Sequence, residues 1–270
     1  MPELPEVETV RRRLSPHVVG RAIVAAEITD ARLTRPAPPA LVAARLRGDR
    51  VRELGRRGKY LLIALTSGTT LVVHLRMTGN LLWQPEPAEL AFTRASLLLD
   101  DGSTVVYTDV RRFGTWHLTD DPVAMLAQTL GPEPLEEWSS ADLRRALAGR
   151  STPVKAALLD QRTVAGVGNI YADEALFRAG INPRTPAARI GPARAARLHA
   201  AIRGVLEEGI SAQGASIRDF RTPDGGYGSA QERFLVYGRG GQPCGTCGGT
   251  LSRTVVAQRG TVYCRSCQPR

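Results

Sequence analysis

The stretch VAGVGNIYADEALF at residues 164–177 decides how the second half of the chain folds. Two glycines and Asn169 stand before a segment whose apolar residues recur three and four positions apart, the spacing of a buried helix face. The free amides and the positive dipole end of such a helix can hold a phosphate group, with the Asn169 side chain as a further donor. A glycine pair alone is more often just a tight turn, so the motif depends on its surroundings.

Helical periodicity continues on both sides of this stretch, from about residue 122 onward. Apolar residues recur three and four apart in ADLRRALAG, in PVKAALLDQ and in the long PARAARLHAAIRGVLEEGISAQG. The segment RDFRTPDGGYGSAQE follows, and its glycines and proline indicate a loop. The middle of the chain is therefore predicted to be an α-helical domain.

Upstream of about residue 120, the pattern changes to short apolar runs bounded by turn signals. They are KYLLIAL at 59–65, TLVVHLRM at 70–77 and ASLLLDDGSTVVYTD at 95–109, the last predicted to be a hairpin turning at Asp101-Gly102. Prolines in PAPPA (36–40) and QPEPAEL (84–90) predict loops. This half is predicted to be a β-sandwich or barrel.

The chain begins MPELPEVETV, which predicts a helix ahead of the strands. Pro5 suits a first helical turn, glutamates complement the dipole, and an apolar stripe follows at Val7, Val10 and Leu14. A second interpretation is chemical. Methionine is usually removed before a small residue, which would leave Pro2 with a free secondary amine able to attack a sugar aldehyde.

All four cysteines fall in the last 27 residues, in two CxxC pairs separated by 16 residues: Cys244, Cys247, Cys264 and Cys267. This spacing is typical of a zinc ribbon that binds one structural ion through four thiolates, whereas paired disulfides or redox dithiols are the alternatives. The sequence therefore predicts three domains: residues 1–121 contain the first helix and the β-sandwich, residues 122–232 the helices, and residues 233–270 the ribbon. The fold class is α+β, multidomain.

A formal charge of +10 indicates a polyanionic partner, most commonly nucleic acid. An anionic membrane is the alternative, but the positive charge is spread along the chain rather than gathered in one amphipathic helix. No run of 18 apolar residues occurs, and three consecutive arginines stand where a signal peptide has its apolar core. We therefore expect a cytoplasmic protein with no membrane partner.

Only two of the 36 basic residues are lysines, Lys59 and Lys155. Because arginine occupies almost every basic position of this chain, the two lysines indicate positions that need a compact ammonium group or a proton donor. Chance retention of either lysine is the alternative.

The order of the motifs resembles the bacterial formamidopyrimidine-DNA glycosylase (Fpg) family across essentially the whole chain. The matching motifs are PELPEVE at the start, RRGKYLL (56–62), HLRMTG (74–79), VRRFG (110–114), VAGVGNIYADEALF, VYGR (236–239) and AQRG before the second CxxC pair. The start PELPE, rather than the PEGPE typical of the sister branch endonuclease VIII, favours the branch that acts on oxidised purines.

The resemblance implies a bifunctional DNA glycosylase and AP lyase of base excision repair. Such an enzyme excises 8-oxoguanine and formamidopyrimidines from duplex DNA through a Schiff base on its N-terminal proline, then cuts by β- and δ-elimination. It implies a helix-two-turn-helix in the helical domain, DNA bound in a cleft between the halves, a monomeric protein, and no nucleotide or redox cofactor.

The resemblance also implies roles for individual residues. Four residues are expected to be catalytic: Pro2, Glu3, Lys59 and Arg259. Pro2 is the nucleophile and Glu3 the general acid and base. Lys59 lies near the lesion and its phosphates, and Arg259 enters the minor groove or binds phosphate from a hairpin tip. The residues expected to support the site or contact DNA are Glu6, Met77, Arg111, Phe113, Lys155, Asn169 and Tyr237. Three of these, Met77, Arg111 and Phe113, match the family's wedge, which fills the gap left by an extruded base.

The sequence departs from the family pattern in three places. Arg76 stands where a small residue is usual, and Val110 stands where proline is usual. The loop FRTPDGGYGSAQE lacks the aromatic ending of the family loop that closes over the extruded base. Two alternatives therefore stay open: the same chemistry on oxidised pyrimidines or bulkier adducts, and a non-catalytic protein that binds damaged DNA.

Overall fold

The computed structural model describes all of residues 1–270, which form two compact units. The first comprises Met1–Gln128 and Ile210–Gln231, and the second comprises Thr129–Gly209 and Glu232–Arg270. None of the helices has the length and apolar character required to cross a bilayer.

The first unit begins with helix α1 (Leu4–Val18) and continues into two antiparallel sheets. Its strands are β1 (Ile23–Ile28), β2 (Val51–Arg57), β3 (Tyr60–Leu65), β4 (Thr70–His74), β5 (Gly79–Gln84), β6 (Thr93–Leu99), β7 (Thr104–Asp109) and β8 (Thr115–Thr119). One sheet has the order β1-β6-β7-β5 and the other β2-β3-β4-β8. The predicted β-sandwich is confirmed.

The core of this unit draws on both sheets and on α1. The helix contributes the expected stripe of Val7, Val10 and Leu14, all buried. The sheets contribute residues such as Leu61, Leu71, Leu97, Val105 and Trp116. Burial of this apolar surface fixes α1 against the sandwich and so holds the N-terminus of the chain in place.

Two local predictions for this unit have different outcomes. The hairpin at 95–109 turns where expected, since the Leu99 amide donates to the Ser103 carbonyl and Gly102 has φ of 85°. PAPPA is only partly loop, because Pro39 opens helix α2 (Pro39–Leu46). Proline in a first helical turn lacks only an amide hydrogen that would be unbonded there anyway. A short helix α3 (Pro122–Ala127) closes this part of the chain.

The second unit carries the predicted helices and the ribbon. Its helices are α4 (Ser140–Leu147), α5 (Val154–Leu159), α6 (Asn169–Arg178) and most of α7 (Pro192–Ser211), and its strands are β9 (Ser252–Val256) and β10 (Arg259–Tyr263). The two strands form an antiparallel hairpin. The ribbon core includes Phe177 of α6 with Val236 and Leu251, so the ribbon packs onto the helices.

The compact units divide the chain differently from the three predicted parts. Residues 210–231, expected in the helical part, belong to the unit that contains α1 and the sandwich, and residues 232–270 belong with the helices. Hydrogen bonds explain the first assignment: the Ala215 amide donates to Glu6, and the Trp83 amide of β5 donates to the Pro223 carbonyl. The boundaries at 121 and 232 stay predictions.

Candidate functional site

Two buried carboxylates, those of Glu3 and Glu6, lie within four residues of Pro2. Pro2 is buried whereas Met1 is 44% exposed, and Glu3 and Glu6 are only 2% and 1% exposed. One oxygen of Glu6 accepts the Glu3 amide hydrogen at 2.7 Å, and its other oxygen accepts the Ala215 amide hydrogen at 2.7 Å. The Glu6 carboxylate therefore holds the backbone at Glu3 and the segment at 215 together.

The backbone comes unusually close to Glu6 at Gly214. This glycine has φ of +77°, and a Cβ atom there would lie 2.8 Å from Glu6 Cγ. Both the left-handed conformation and the short distance require glycine. The chain at 214–215 is thereby seated against the first turn of α1.

Glu8 of α1 is paired with three arginines. It is 7% exposed and receives hydrogen bonds from Arg11 and Arg12, with Arg56 of β2 also paired to it. Burial alone would raise the pKa of this carboxyl group, but the hydrogen bonds and charges of the arginines lower it to about 2. Glu8 is therefore a charged carboxylate that links α1 to β2 through Arg56.

Lys59 lies in the tight turn between β2 and β3 and is 5% exposed. Its charge reaches His74 at the end of β4, which is also buried. Burial, then the charges of Arg76 and Lys59, lower the pKa of His74 to about 3. The Nδ1 atom of this neutral imidazole accepts the Arg76 amide hydrogen at 2.9 Å, which fixes the turn leading to Met77.

Asp109, which was not identified from the sequence, joins the two loops that carry Met77, Arg111 and Phe113, the residues predicted to form the wedge. It is 1% exposed and accepts from the Thr78 hydroxyl, from the Arg111 amide at 3.1 Å, and from the Phe113 and Gly114 amides at 2.9 and 2.8 Å. The Arg111 amide also donates to Thr78 Oγ1 at 3.0 Å. The sequence signal that could have identified Asp109 is its position as an acidic residue at the end of a predicted strand, immediately before VRRFG.

The three residues predicted to form the wedge lie at or near the surface. Phe113 is 51% exposed, Met77 is half-buried, and the Arg111 guanidinium sits 4.7 Å from the centre of the Phe113 ring. Arg112, between them, binds buried Asp30 through two hydrogen bonds of 2.6 and 2.9 Å. That pair attaches the segment at 112 to Asp30, whereas the Phe113 backbone is held by Asp109.

The loop FRTPDGGYGSAQE is anchored to α1 and β5 of the same unit. Asn80 donates to the Asp219 carbonyl at 3.0 Å and accepts the Arg221 amide hydrogen at 2.9 Å. Arg13 of α1 binds Asp224 through two hydrogen bonds of 3.0 and 2.6 Å. Arg221 stacks over Tyr227, with the guanidinium 4.1 Å from the ring centre. This aromatic residue is 67% exposed.

In the second unit, helix α6 organises the predicted phosphate-binding residues. Asn169, its first residue, donates from Nδ2 to the Gly260 carbonyl at 3.1 Å. One turn later, Asp173 accepts the Val262 amide hydrogen at 3.1 Å. Both contacts hold strand β10, so the helix start and the strand carrying Arg259 form one assembly.

Glu174, the next residue of α6, binds the segment that contains Tyr237. Its buried carboxylate accepts the amide hydrogens of Leu235, Val236 and Tyr237 at 2.8–2.9 Å. Tyr237 is half-buried, with Phe234 edge-on to its ring at 5.8 Å between ring centres. Sequence periodicity assigned Asp173 and Glu174 only to a helix, because it does not show which buried acids face a second segment.

Lys155, expected to contact DNA, is fully buried. Its Nζ atom lies 2.7 Å from Asp173 Oδ1 and donates to Thr261 Oγ1 at 2.7 Å and to the Gly260 carbonyl at 3.2 Å. Burial raises the pKa of Asp173 to about 6 even though Lys155 opposes the shift. The ammonium group therefore lies beneath the β9–β10 hairpin.

The hairpin turns one residue earlier than expected. Ala257 and Gln258 form the tip, with φ of 49° and 59°, the left-handed pair of a tight hairpin turn. Arg259 is the first residue of β10, pairs with Val256 and is exposed. Its side chain projects from the hairpin end rather than from the tip itself.

The four cysteines form a site for one structural zinc ion. Their Sγ atoms all lie within 4.8 Å of one another, at 3.9 Å for Cys244 and Cys267 and 3.4 Å for Cys247 and Cys264. Thiolates around a tetrahedral zinc at about 2.3 Å are about 3.8 Å apart, and a disulfide needs about 2.05 Å. Four thiolates complete the coordination and leave no position for a substrate.

Comparisons with known proteins agree with this arrangement. Family models match the formamidopyrimidine-DNA glycosylase N-terminal domain at residues 1–116, its H2TH domain at 130–221, and the zinc finger found in FPG and IleRS at 241–270. The Heliobacterium modesticaldum formamidopyrimidine-DNA glycosylase is 48% identical over 99% of this chain and 100% of its own length. The Chloroflexus aurantiacus protein of the same name is 46% identical over 99% and 98%.

Solved structures of similar proteins cover the same length. MutM (FPG) from Thermus thermophilus has a TM-score of 0.89 at 45% identity, covering 99% of this chain and 98% of its own. A Lactococcus lactis FPG variant bound to DNA containing Fapy-dG has a TM-score of 0.93 at 34% identity, covering 100% of both chains. A MutM complex with DNA containing carbocyclic 8-oxo-G has a TM-score of 0.93 at 35% identity, again covering 100% of both.

Proposed function

Because the chain belongs to the formamidopyrimidine-DNA glycosylase family, we propose that it is a bifunctional glycosylase and AP lyase that removes oxidised purines from duplex DNA. The observation that carries this proposal is the N-terminal site, where Pro2 precedes a helix whose first turn holds buried Glu3 and Glu6. Relatives are named for formamidopyrimidine, and similar proteins were solved with Fapy-dG and 8-oxo-G DNA.

The reaction begins once Met1 is removed and Pro2 carries a free secondary amine. Its nitrogen attacks C1′ of the damaged nucleoside and the C1′–base bond breaks. The base leaves with the bonding electrons and takes up the proton that the amine loses on forming the new C–N bond. The sugar ring then opens: Glu3 donates a proton to O4′, the C1′–O4′ bond breaks, and the nitrogen lone pair forms a cationic iminium with C1′. The positive end of α1 favours the neutral form of the amine.

Strand cleavage follows from the same iminium. A proton is removed from C2′, the electrons move into the iminium, and the 3′ phosphate departs; a second elimination releases the 5′ phosphate. Glu3, now unprotonated, is the base available within the site. Glu6 acts through Glu3 by holding its backbone amide, so it is a positioning residue.

The wedge residues take the place of the extruded nucleoside. Extrusion costs roughly a few kcal/mol of lost stacking and pairing. Exposed Phe113 offers a stacking surface, Met77 an apolar side chain, and Arg111 a guanidinium that pairs with the orphaned base. Lys59 neutralises phosphate charge beside the lesion.

Phosphate contacts in the second unit position the duplex. Asn169, Tyr237 and Arg259 are joined through α6 and β10, so they bind neighbouring phosphates as one surface. Lys155 contributes by supporting the hairpin that presents Arg259. A zinc ion bound by Cys244, Cys247, Cys264 and Cys267 would link the two CxxC pairs and so stabilise the ribbon.

The protein is further proposed to act as a monomer in the cytoplasm. Four reduced cysteines suit a compartment that keeps thiols unoxidised. All the proposed DNA-binding groups come from one chain, so a second copy is not required. Sedimentation of the zinc-loaded protein with and without DNA tests the oligomeric state.

A second candidate function is the same chemistry on oxidised pyrimidines or bulkier adducts. The Arg221–Tyr227 pair favours it, since it occupies the loop proposed to close over the base. The deciding experiment compares excision from matched duplexes that contain 8-oxoguanine, Fapy-guanine or an oxidised pyrimidine. Faster release of the purines supports the proposal, whereas faster release of the pyrimidine supports the second candidate.

A further inference from the structure

An arginine-lined cavity of about 320 Å³ lies in the second unit, on side chains that the proposed chemistry does not use. Its lining consists of Asn182, Arg184, Tyr263, Arg265 and Arg270. Three of these five residues are arginines, all of them exposed at the surface, and none of the five is acidic. Its volume is at the small end of ligand sites, which suits a compact anion.

The base of the cavity is built from buried polar groups. Asn182, 4% exposed, accepts the Arg184 amide hydrogen at 3.0 Å and donates to the Gln268 carbonyl at 3.0 Å. Gln268, 1% exposed, donates to the Ile181 carbonyl at 2.8 Å and accepts the Cys264 amide hydrogen at 2.9 Å. These bonds fix the backbone at 181–184, which carries Arg184, against the backbone at 264–268, which carries Arg265.

The arginines keep most of their donors for a ligand. Arg265 and Arg270 form no hydrogen bond or ion pair with the rest of the protein, and Arg184 bonds only to the neutral Thr254 hydroxyl. Tyr263, 6% exposed, also lines the cavity. Three arginines therefore line the cavity with no acidic side chain among the lining residues to neutralise them.

We propose that this cavity, the arginine pocket, binds a phosphate group. Guanidinium forks match tetrahedral oxyanions through paired hydrogen bonds. A phosphate offers enough oxygens to accept from three arginines at once, whereas a carboxylate offers only two. The phosphate comes either from a diester of duplex DNA beyond the lesion or from a free phosphate compound.

The first test is titration of inorganic phosphate into the zinc-loaded full-length protein at constant ionic strength, followed by calorimetry. Arg265→Ala and Arg270→Ala remove pocket charges without breaking an internal bond. The matched control is Arg194→Ala, which removes an exposed arginine of α7 that has no side-chain partner. We expect saturable binding, weakened about tenfold or more in the pocket variants and unchanged in the control.

A DNA measurement distinguishes the two sources of phosphate. If a diester occupies the pocket, the slope of log affinity against log salt for an undamaged 30-base-pair duplex falls by about 0.9 in Arg265→Ala relative to Arg194→Ala. An unchanged slope alongside saturable phosphate binding assigns the pocket to a free phosphate compound.

Two results would overturn the proposal. One is the lack of saturable phosphate binding, or an equal loss in the control. The other is reduced zinc content in Arg265→Ala and Arg270→Ala with no effect on phosphate binding, which would mean that the arginines only neutralise the nearby thiolates. Circular dichroism and zinc stoichiometry of each variant confirm that the protein is folded.

Discussion

The Nζ atom of Lys155 lies 2.7 Å from Oδ1 of Asp173, and neither side chain is exposed to solvent beyond 1%. The pair joins α5 and α6 to strand β10, because Lys155 also bonds to Gly260 and Thr261 and Asp173 bonds to Val262. One of the two lysines therefore supports the hairpin that carries Arg259.

Replacing Lys155 with methionine should destabilise the second unit strongly, since the buried Asp173 charge would lose its partner. Breaking a buried pair from one side costs about 3–5 kcal/mol. Urea unfolding of Lys155→Met, Asp173→Asn and the double variant measures this. We expect the double variant to lose less than the two single losses combined. Additive losses would contradict the pairing.

Replacing Glu6 with glutamine should slow catalysis and lower stability together. The amide retains one acceptor, so either the Glu3 amide or the Ala215 amide would face an NH₂ group. An unsatisfied buried donor costs about 1–3 kcal/mol. Single-turnover rates on an abasic duplex measure the catalytic loss, and thermal unfolding measures stability. Glu53→Gln, with a side chain 67% exposed, is the control and should change neither.

His74 should remain neutral well below the usual pKa of histidine. Its folded-state pKa is about 3, lowered by burial and by the Arg76 and Lys59 charges, against about 6.5 in an unfolded chain. The unfolded state alone takes up this proton below about pH 6.5, so the contribution of His74 to stability is lost as pH falls from 6.5 towards 3. NMR titration of its ring from pH 8 to 5 should show no protonation. A midpoint near 6.5 would contradict the buried geometry.

Replacing Phe113 with alanine should weaken binding of lesion-containing duplex while leaving stability within about 0.5 kcal/mol, because the ring is 51% exposed. Loss of one stacking contact is worth about 1–3 kcal/mol, or roughly tenfold or more in affinity. Fluorescence anisotropy with an abasic duplex tests this, and Val123→Ala, at a side chain 77% exposed on α3, is the control. Equal affinity for Phe113→Ala and the unmodified protein would exclude Phe113 from the wedge.

The sequence predicted features that depend on spacing. The stripe of Val7, Val10 and Leu14 is buried as its period required, and the two CxxC pairs bring four sulfurs together. Both patterns are local, so neighbouring residues determine them. The change from strand to helical periodicity near residue 120 similarly agrees with the observed order of elements.

Features that depend on distant partners were not predictable in the same way. The burial of Glu8 depends on Arg56 of β2, and the burial of Lys155 depends on β10, and both partners are distant in sequence. Asp109 and Glu174 bind backbone amides of other segments, and amides carry no sequence signal. Helix α2 was missed because prolines at 38–39 indicated a loop, although proline is compatible with a first helical turn.

The central claim, that Pro2 is the nucleophile of a glycosylase, is tested most directly by borohydride trapping on a duplex containing 8-oxoguanine opposite cytosine. Reduction converts the iminium into a stable covalent adduct. The parallel arms are an abasic duplex, Pro2→Gly, and the control Pro192→Gly at an exposed proline that begins α7. We predict adducts on both duplexes, mapped by mass spectrometry to Pro2 in a chain lacking Met1, retained in Pro192→Gly and lost or much slowed in Pro2→Gly. A chain that keeps Met1, or one that binds both duplexes without forming an adduct, would contradict the account.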